Sequence, residues 1–237
     1  MKKCPRCLKY DSDNIRFCRH CNTELFFLNR FENSSSAVYN TLSTVYDLLD
    51  IIYFRRSEKS PRTALVSAIT DAPVKVLDVC AGTCTNSILI AQNKPNAKIT
   101  ALDKAEKMLK IAQKKFRKKG IQNIEITVAD ACNSGLPDGT FDVILLSLVL
   151  HEISEDLQSA FLREAKRLLA PNGEIIVIEW ERPASFSERL KFALIELIEP
   201  KIFKEFLKKD LRRFFENAGF TVLDKQSCDY TVVFRMR

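Results

Sequence analysis

The sequence predicts an open, doubly wound α/β sheet of seven strands, mostly parallel with one antiparallel strand, behind a small N-terminal cysteine module. Three observations predict it. From residue 72 onward, apolar runs of strand length alternate with stretches of helical period, the pattern of a parallel sheet with crossover helices. Two strands close the chain with a connection too short for a crossover, which makes them an antiparallel hairpin. Ahead of all this, four of the eight cysteines fall in the first 21 residues as two Cys-x-x-Cys pairs.

Composition sets the bounds. A chain of 237 residues, 46% hydrophobic and 28% charged, has room for one α/β domain plus an appendage, and is neither disordered nor collagen-like. The longest apolar run, 143–150, is interrupted at Ser147 and falls well short of the ~18–20 residues of a bilayer span. The start, Met1-Lys2-Lys3-Cys4-Pro5-Arg6-Cys7, lacks the apolar region of a secretory signal, so the expected location is the cytoplasm. A net charge of +7 fits a nucleic-acid partner, an anionic membrane or simple solubility.

Residues 1–25 form the first module. Cys4 and Cys7, then Cys18 and Cys21, are two pairs on tight turns, and four thiolates so arranged suit tetrahedral Zn²⁺ in a closed structural site. With only Leu8, Ile15 and Phe17 to bury, metal binding has to supply most of the folding energy. The pattern resembles a short zinc ribbon. Redox-active pairs are the alternative, without the βαβ context such a site needs.

Residues 36–54 carry apolar positions at helical spacing after the caps Ser34, Ser35 and Ser36, and a short helix ends at Ile69. The alternation follows: strand 74–79, a turn at Gly82, helix 85–92, strand 98–102, helix 105–119 and strand 124–128. Then come strand 141–147, a helix with Leu157, Ala160, Phe161, Ala165 and Leu168 inward, a stop at Pro171-Asn172-Gly173, and strand 174–180. Residues 183–209 mix Phe, Leu and Ile with charge. One helix carrying Phe203, Phe206, Leu207, Leu211, Phe214 and Phe215 precedes Gly219, and strands 221–225 and 230–234 end the chain.

Ligands of such sheets bind beyond the carboxyl ends of the strands. Those ends read Asp78 to Cys84, Asp103-Lys104, Asp130-Ala131, then Ser147 and His151-Glu152. Three carboxylates sit where a phosphate site needs Gly, Lys and backbone amides, and neither a P-loop nor a three-glycine dinucleotide fingerprint is present. That argues for a ligand with hydroxyls, an amine and a positive centre. Singly, each aspartate is also a helix cap or an ion-pair partner.

Val76-Leu77-Asp78-Val79-Cys80-Ala81-Gly82-Thr83 resembles motif I of class I S-adenosylmethionine-dependent methyltransferases. The resemblance covers about residues 36–237, with 36–70 as N-terminal helices and 183–209 as a lid. It implies that Asp78, Cys80, Ala81, Gly82 and Thr83 border the cofactor and that Asp103 takes both ribose hydroxyls. Lys104 and Met108 would lie alongside, Asp130 and Ala131 would meet the adenine, and Ser147 would line the site. Leu168 to Glu174 and Ala218-Gly219-Phe220 resemble the family's turns before strands five and six. The family commonly has Gly at the positions of Cys80 and Cys84. A side chain at Cys84 is expected either to narrow the gap between loop and cofactor or to fill space at a helix N-terminus. Cys132 and Cys228 read as packing thiols.

Val45-Tyr46-Asp47-Leu48-Leu49-Asp50 resembles the first helix of the ubiquinone/menaquinone biosynthesis methyltransferases, which implies that Tyr46 contacts the methionine end of the cofactor. His151 either orients the acceptor or takes a proton, or only begins a helix, and Glu152 reads as a cap or first-turn acid. The lid, with Phe186, Leu190, Phe192, Leu194, Ile195, Leu197 and Ile198, either lines a pocket for a small or lipophilic acceptor or packs as ordinary core. The competing partner is RNA, since a zinc ribbon also precedes this fold in some ribosomal RNA methyltransferases. Against RNA, the run Lys114-Lys115-Phe116-Arg117-Lys118-Lys119 reads as a solvated helix face away from the strand ends. A non-catalytic partner-binding protein on the same scaffold is the third class.

Overall fold

The computed structural model describes residues 2–3, 10–11, 20, 60–198, 201–228 and 230–237, without the side chains of 2, 3, 10, 11, 187, 191, 194, 197, 198 and 201. At the N-terminus, β1 (Lys2–Lys3) and β2 (Tyr10–Asp11) pair antiparallel, Lys2 with Asp11 and Lys3 with Tyr10. The four cysteines expected to hold zinc, and Tyr46 with the first expected helix, lie outside the described residues.

The main sheet has seven strands: β3 (Lys75–Val79), β4 (Lys98–Asp103), β5 (Ile124–Val128), β6 (Phe141–Ser147), β7 (Leu169–Trp180), β8 (Val222–Cys228) and β9 (Thr231–Met236). Their order across the sheet is β5-β4-β3-β6-β7-β9-β8. Only β9 runs against the others, paired antiparallel with both β7 and β8. The chain builds outward from β3 to β5, then returns to lay β6 against β3. The switch point, and the crevice it opens, therefore fall at the carboxyl ends of β3 and β6.

Strand alternation assigns the two faces. Leu77, Val79, Ile144, Leu146, Ile175 and Val177 pack on one side with Leu157, Leu162 and Leu168 of α4 (Glu155–Leu168) and Phe215 of α7 (Leu211–Asn217). Val76, Val143, Leu145, Ile176 and Ile178 face the other way, against Leu65 of α1 (Pro61–Ala68) and Ile90 of α2 (Thr85–Asn93). Both faces are apolar, as a buried parallel sheet requires. Ser60 caps α1 by accepting from the Arg62 N–H at 3.3 Å, with Pro61 at the first helical position.

In α3 (Glu106–Lys119), Glu106 stands in the first turn and Arg117, Lys118 and Lys119 in the last, each sign at the helix end that favours it. Gly120 ends the helix at φ 65°. Crossover helices run against their strands, so this basic run lies at the opposite end of the sheet from the crevice.

Three expectations are corrected. The stop at Pro171-Asn172-Gly173 is a wide bulge inside one strand: Phe141 pairs with Leu169 and Val143 with Glu174, with Asn172 at φ 65° absorbing the extra residues. The single late helix is two, α6 (Lys201–Phe206) and α7, because the Asp210 carboxylate accepts from the Arg213 N–H at 3.1 Å and starts a new helix. The lid begins with α5 (Phe186–Ile198), whose Phe192 and Ile195 are buried while Phe186 and Leu190 point outward.

Candidate functional site

The loop 80–84 between β3 and α2 is shaped by three left-handed residues in alternation: Cys80 at φ 57°, Gly82 at 54° and Cys84 at 59°. A side chain in this region costs ~1–2 kcal/mol, which explains why glycine suits all three positions. The turn is held by the Ala81 N–H donating to the Leu102 carbonyl at 3.0 Å and the Cys84 N–H to the Ala81 carbonyl at 2.7 Å. Its other anchor is Asp103, at the end of β4. One Asp103 oxygen accepts from the Gly82 N–H and the other from the Ala105 N–H, both at 2.7 Å. The carboxylate thus ties the loop to the start of the next helix. Burial pushes its pKa up against those backbone hydrogen bonds.

Asp130, after β5, accepts from the Cys132 N–H at 2.8 Å, and its second oxygen lies 3.7 Å from Lys104 Nζ. Met108 flanks Gly82, where an added Cβ would come within 3.9 Å of the Met108 methyl carbon. Asp103, Lys104, Met108, Asp130, Gly82 and Ala81 are therefore joined at one edge. Asp78 lies beneath them at 2% exposure, accepting from Ser87 Oγ at 2.5 Å.

Residues 76–173 match the family model described as "Methyltransferase domain". Over that stretch, which is less than half of the chain, the sequence is similar to this family. It is 29% identical over 154 residues to demethylmenaquinone methyltransferase of Listeria welshimeri, a match covering 64% of this chain and 64% of that relative. That is less than two thirds of the relative's length. The protein of the same name from Geobacillus sp. strain WCH70 is 24% identical over 226 residues, covering 85% and 96% of the two chains. A solved methyltransferase of Aquifex aeolicus, described as SAM dependent, superposes with a TM-score of 0.65 at 22% identity, covering 83% of this chain and 96% of that one. The 1,6-didemethyltoxoflavin-N1-methyltransferase of Burkholderia thailandensis, solved with S-adenosylhomocysteine, superposes at 0.60 with 17% identity, covering 87% and 88%. These two likenesses establish the fold.

In the loop 80–84, Cys84 fills space rather than narrowing the gap. It is fully buried among Ile88, Ala101, Leu109, Ala112 and Phe116, beneath α2 and α3. Cys80 is half-buried, packed with Ala131 and Cys132 against the core. Burial raises the Cys80 thiol well above its ordinary value, and the carboxylates of Asp103, Asp130 and Asp78 and the Cys132 thiol add to this. Burial also lifts Cys84 and Cys132. All three are protonated small hydrophobes, not nucleophiles. Since Cys80 carries backbone strain without a fully buried side chain, Cys80→Gly is expected to stabilise the domain by up to about 1 kcal/mol, read by chemical denaturation.

The Asp78 carboxyl is lifted to about 7 by burial, opposed by the Ser87 hydrogen bonds and reinforced by Asp103. A folded-state pKa above the unfolded one means that the folded protein binds the proton more tightly. The resulting stability is complete below about pH 4 and is lost as pH rises through about 7. The wild type should thus lose melting temperature between about pH 5 and 8 relative to Asp78→Asn, which has no proton to release. Parallel curves for the two proteins would refute this assignment.

His151 does not begin a helix. It sits at 1% exposure in a 3-10 turn, Leu150–Glu152, after β6 and the left-handed Leu148 at φ 55°. Its Nδ1 is 2.8 Å from Glu179 Oε2, and its Nε2 is 3.8 Å from Glu152 Oε1. The other Glu179 oxygen accepts from the Val149 and Leu150 N–H groups at 2.9 and 2.6 Å. Phe203, Phe206 and Trp180 surround the imidazole edge-on, with ring centroids 5.5, 6.1 and 6.3 Å away. Glu179 went unnoticed in the sequence, although a carboxylate near the end of the apolar strand 175–180 is the signal that could have found it. Ser147 is half-buried at the end of β6 and Thr83 is buried in the loop. Among the described residues no cluster of three or more His, Cys, Asp or Glu could hold a metal ion, and no helix is long and apolar enough to cross a membrane.

Proposed function

We propose that the protein transfers a methyl group from S-adenosylmethionine to a small or lipophilic acceptor, in the cytoplasm. The observation that carries this is Asp103: each oxygen accepts one backbone N–H and keeps lone pairs for a vicinal diol. The donor set around it fits the same ligand. Asp130 offers a carboxylate to an exocyclic amine, Ala131 a backbone N–H to a ring, and Gly82 a loop surface without a side chain. Cys80, Thr83, Lys104, Met108 and Ser147 complete the border, with Asp78 beneath it. When bound, the cofactor supplies a methyl group activated by positive sulfur.

The chain's own residues then align the nucleophile and exclude water. His151, fixed through Nδ1 on Glu179, orients the acceptor or takes its proton, and Tyr46 contacts the methionine end. The names of the Listeria and Geobacillus relatives favour a quinone-like acceptor. We also assign Cys4, Cys7, Cys18 and Cys21 to structural Zn²⁺. The β1–β2 ladder supports this, because residues 2–3 and 10–11 bracket the first Cys pair as a hairpin would. Metal analysis should find one zinc per chain, and its loss should follow replacement of Cys4 and Cys7 by Ser.

Calorimetric titration with S-adenosylmethionine or S-adenosylhomocysteine tests the enzyme reading, and no heat at millimolar ligand would sink it. If the cofactor binds, tight and salt-dependent association with RNA would move the acceptor to RNA, and its absence would leave a small or lipophilic molecule.

A further inference from the structure

The turn that carries His151 is held from two sides, the sheet and α4. On the sheet side, Glu179 takes the Val149 and Leu150 N–H groups and meets His151 Nδ1. From α4, Gln158 takes the carbonyls: its Nε2 donates to the Leu150 oxygen at 2.7 Å and to the Ile153 oxygen at 3.0 Å, on either side of His151-Glu152. Leu150 is thus gripped through its N–H by a strand and through its C=O by a helix.

The Gln158 amide, at 1% exposure, fits one way only. Two carbonyls face its nitrogen and its oxygen accepts from Lys209 Nζ at 2.9 Å, whereas a carboxylate there would set oxygen against both carbonyls. Lys209 stands in the turn after α6, 2.8 Å from Glu155 Oε1 and 5.1 Å from the centre of the Phe214 ring. The Glu155 side chain is 80% exposed, so that ion pair is weak, while the buried Gln158 oxygen needs its donor. The link that counts is therefore to Gln158. On α6 itself, Phe203 and Phe206 stand edge-on to the imidazole, both at 2% exposure or less. One helix covers His151 with its rings and, just past its end, completes the side chain that holds the His151 turn. Apolar burial keeps α6 down but is non-directional, and the hydrogen bond supplies the direction.

We propose that Gln158 is a positioning residue for His151 and that Lys209 makes its hold depend on the seat of α6. With α6 down, Lys209 completes Gln158 and the turn is fixed. An acceptor reaches a histidine at 1% exposure when α6 lifts; Gln158 then loses its donor and the turn loosens, and closure of α6 behind the acceptor returns the imidazole to its place. The purpose of this coupling rests on the reading of His151 as the residue that meets the acceptor. The coupling itself does not.

The test uses the full chain without cofactor or acceptor. Diethyl pyrocarbonate labels accessible imidazoles, and the chain has two histidines, the exposed His20 and the covered His151, which mass spectrometry of peptides separates. Labelling of His151 should be slow beside that of His20 in the wild type and about tenfold faster in Lys209→Met, the effect of losing one such hydrogen bond from the closed state. Lys209→Arg, which keeps a charged donor, should restore the slow rate. Gln158→Glu keeps a partner for Lys209 and loses both carbonyl bonds, so it should also speed His151, while Glu155→Gln should leave it slow. Alkylation of the fully buried Cys84 reports opening of the whole domain and should stay slow in every variant. An unchanged His151 rate in Lys209→Met overturns the proposal. So does an equal acceleration by Glu155→Gln, which would make Glu155 the partner that matters, or a parallel rise at Cys84, which would make the effect global unfolding. Failure to bind S-adenosylmethionine strikes the methyltransferase reading and leaves the labelling result standing.

Discussion

Replacing Glu179 with alanine is expected to destabilise the folded domain by about 3–5 kcal/mol, the range for removing one partner of a buried ion pair or network. At 1% exposure this carboxylate is the acceptor for the Val149 N–H, the Leu150 N–H and the His151 ring nitrogen. Without it, three polar groups near the carboxyl end of β6 stay buried with their acceptor gone, and water has little access past Trp180 and Phe203. Glu179→Gln keeps one oxygen for the two backbone donors and should lose clearly less stability. Urea denaturation of both variants decides the matter. A loss below about 1 kcal/mol for the alanine variant would mean that the turn has other support.

Replacing Asp103 with alanine should weaken S-adenosylmethionine binding by about 1.5–3 kcal/mol, the range for hydrogen bonds to a charged group, or roughly 10- to 150-fold in Kd. The structure adds a second cause. The Gly82 and Ala105 N–H groups lose their acceptor, so the loop that borders the cofactor is no longer tied to β4. Asp103→Asn has one acceptor oxygen where the wild type has two, and should fall between. Calorimetry with S-adenosylhomocysteine gives the comparison without turnover. Unchanged affinity in the alanine variant would refute the ribose role.

Much of the cofactor edge was legible because it is local. Asp103 follows an apolar strand and precedes a helix whose periodicity is plain, so its place at a strand end needs only period counting. The same holds for Gly82 and Asp130. Cys80 and Cys84 were legible as glycine substitutes, yet not where their side chains go. Cys80 and Cys84, on either side of Gly82, send their side chains into different clusters, and only the packing of α2 and α3 places Cys84 among Ile88, Leu109 and Phe116.

The acceptor side was less legible. His151, following the fourth strand, read either as a residue facing the acceptor or as the start of a helix. The structure instead gives a 3-10 turn held by a carboxylate 28 residues away in sequence, on the neighbouring strand. No window of local sequence contains that pair. Likewise, the apolar residues of 183–209 formed one undivided set until α5 separated Phe192 and Ile195, which face the aromatic cluster, from Phe186 and Leu190, which face solvent.

By itself, then, the sequence determined the alternation of strands and helices, the antiparallel closing hairpin and the carboxylates at the ends of β3, β4 and β5. Each follows from hydrophobic period, turn residues and chain length, which act over a few residues. Tertiary structure alone decided that β9 inserts between β7 and β8, that Glu179 meets His151, and which face of the lid is covered. Those outcomes depend on which surfaces become neighbours after the sheet assembles, and burial is a property of that assembly rather than of any residue.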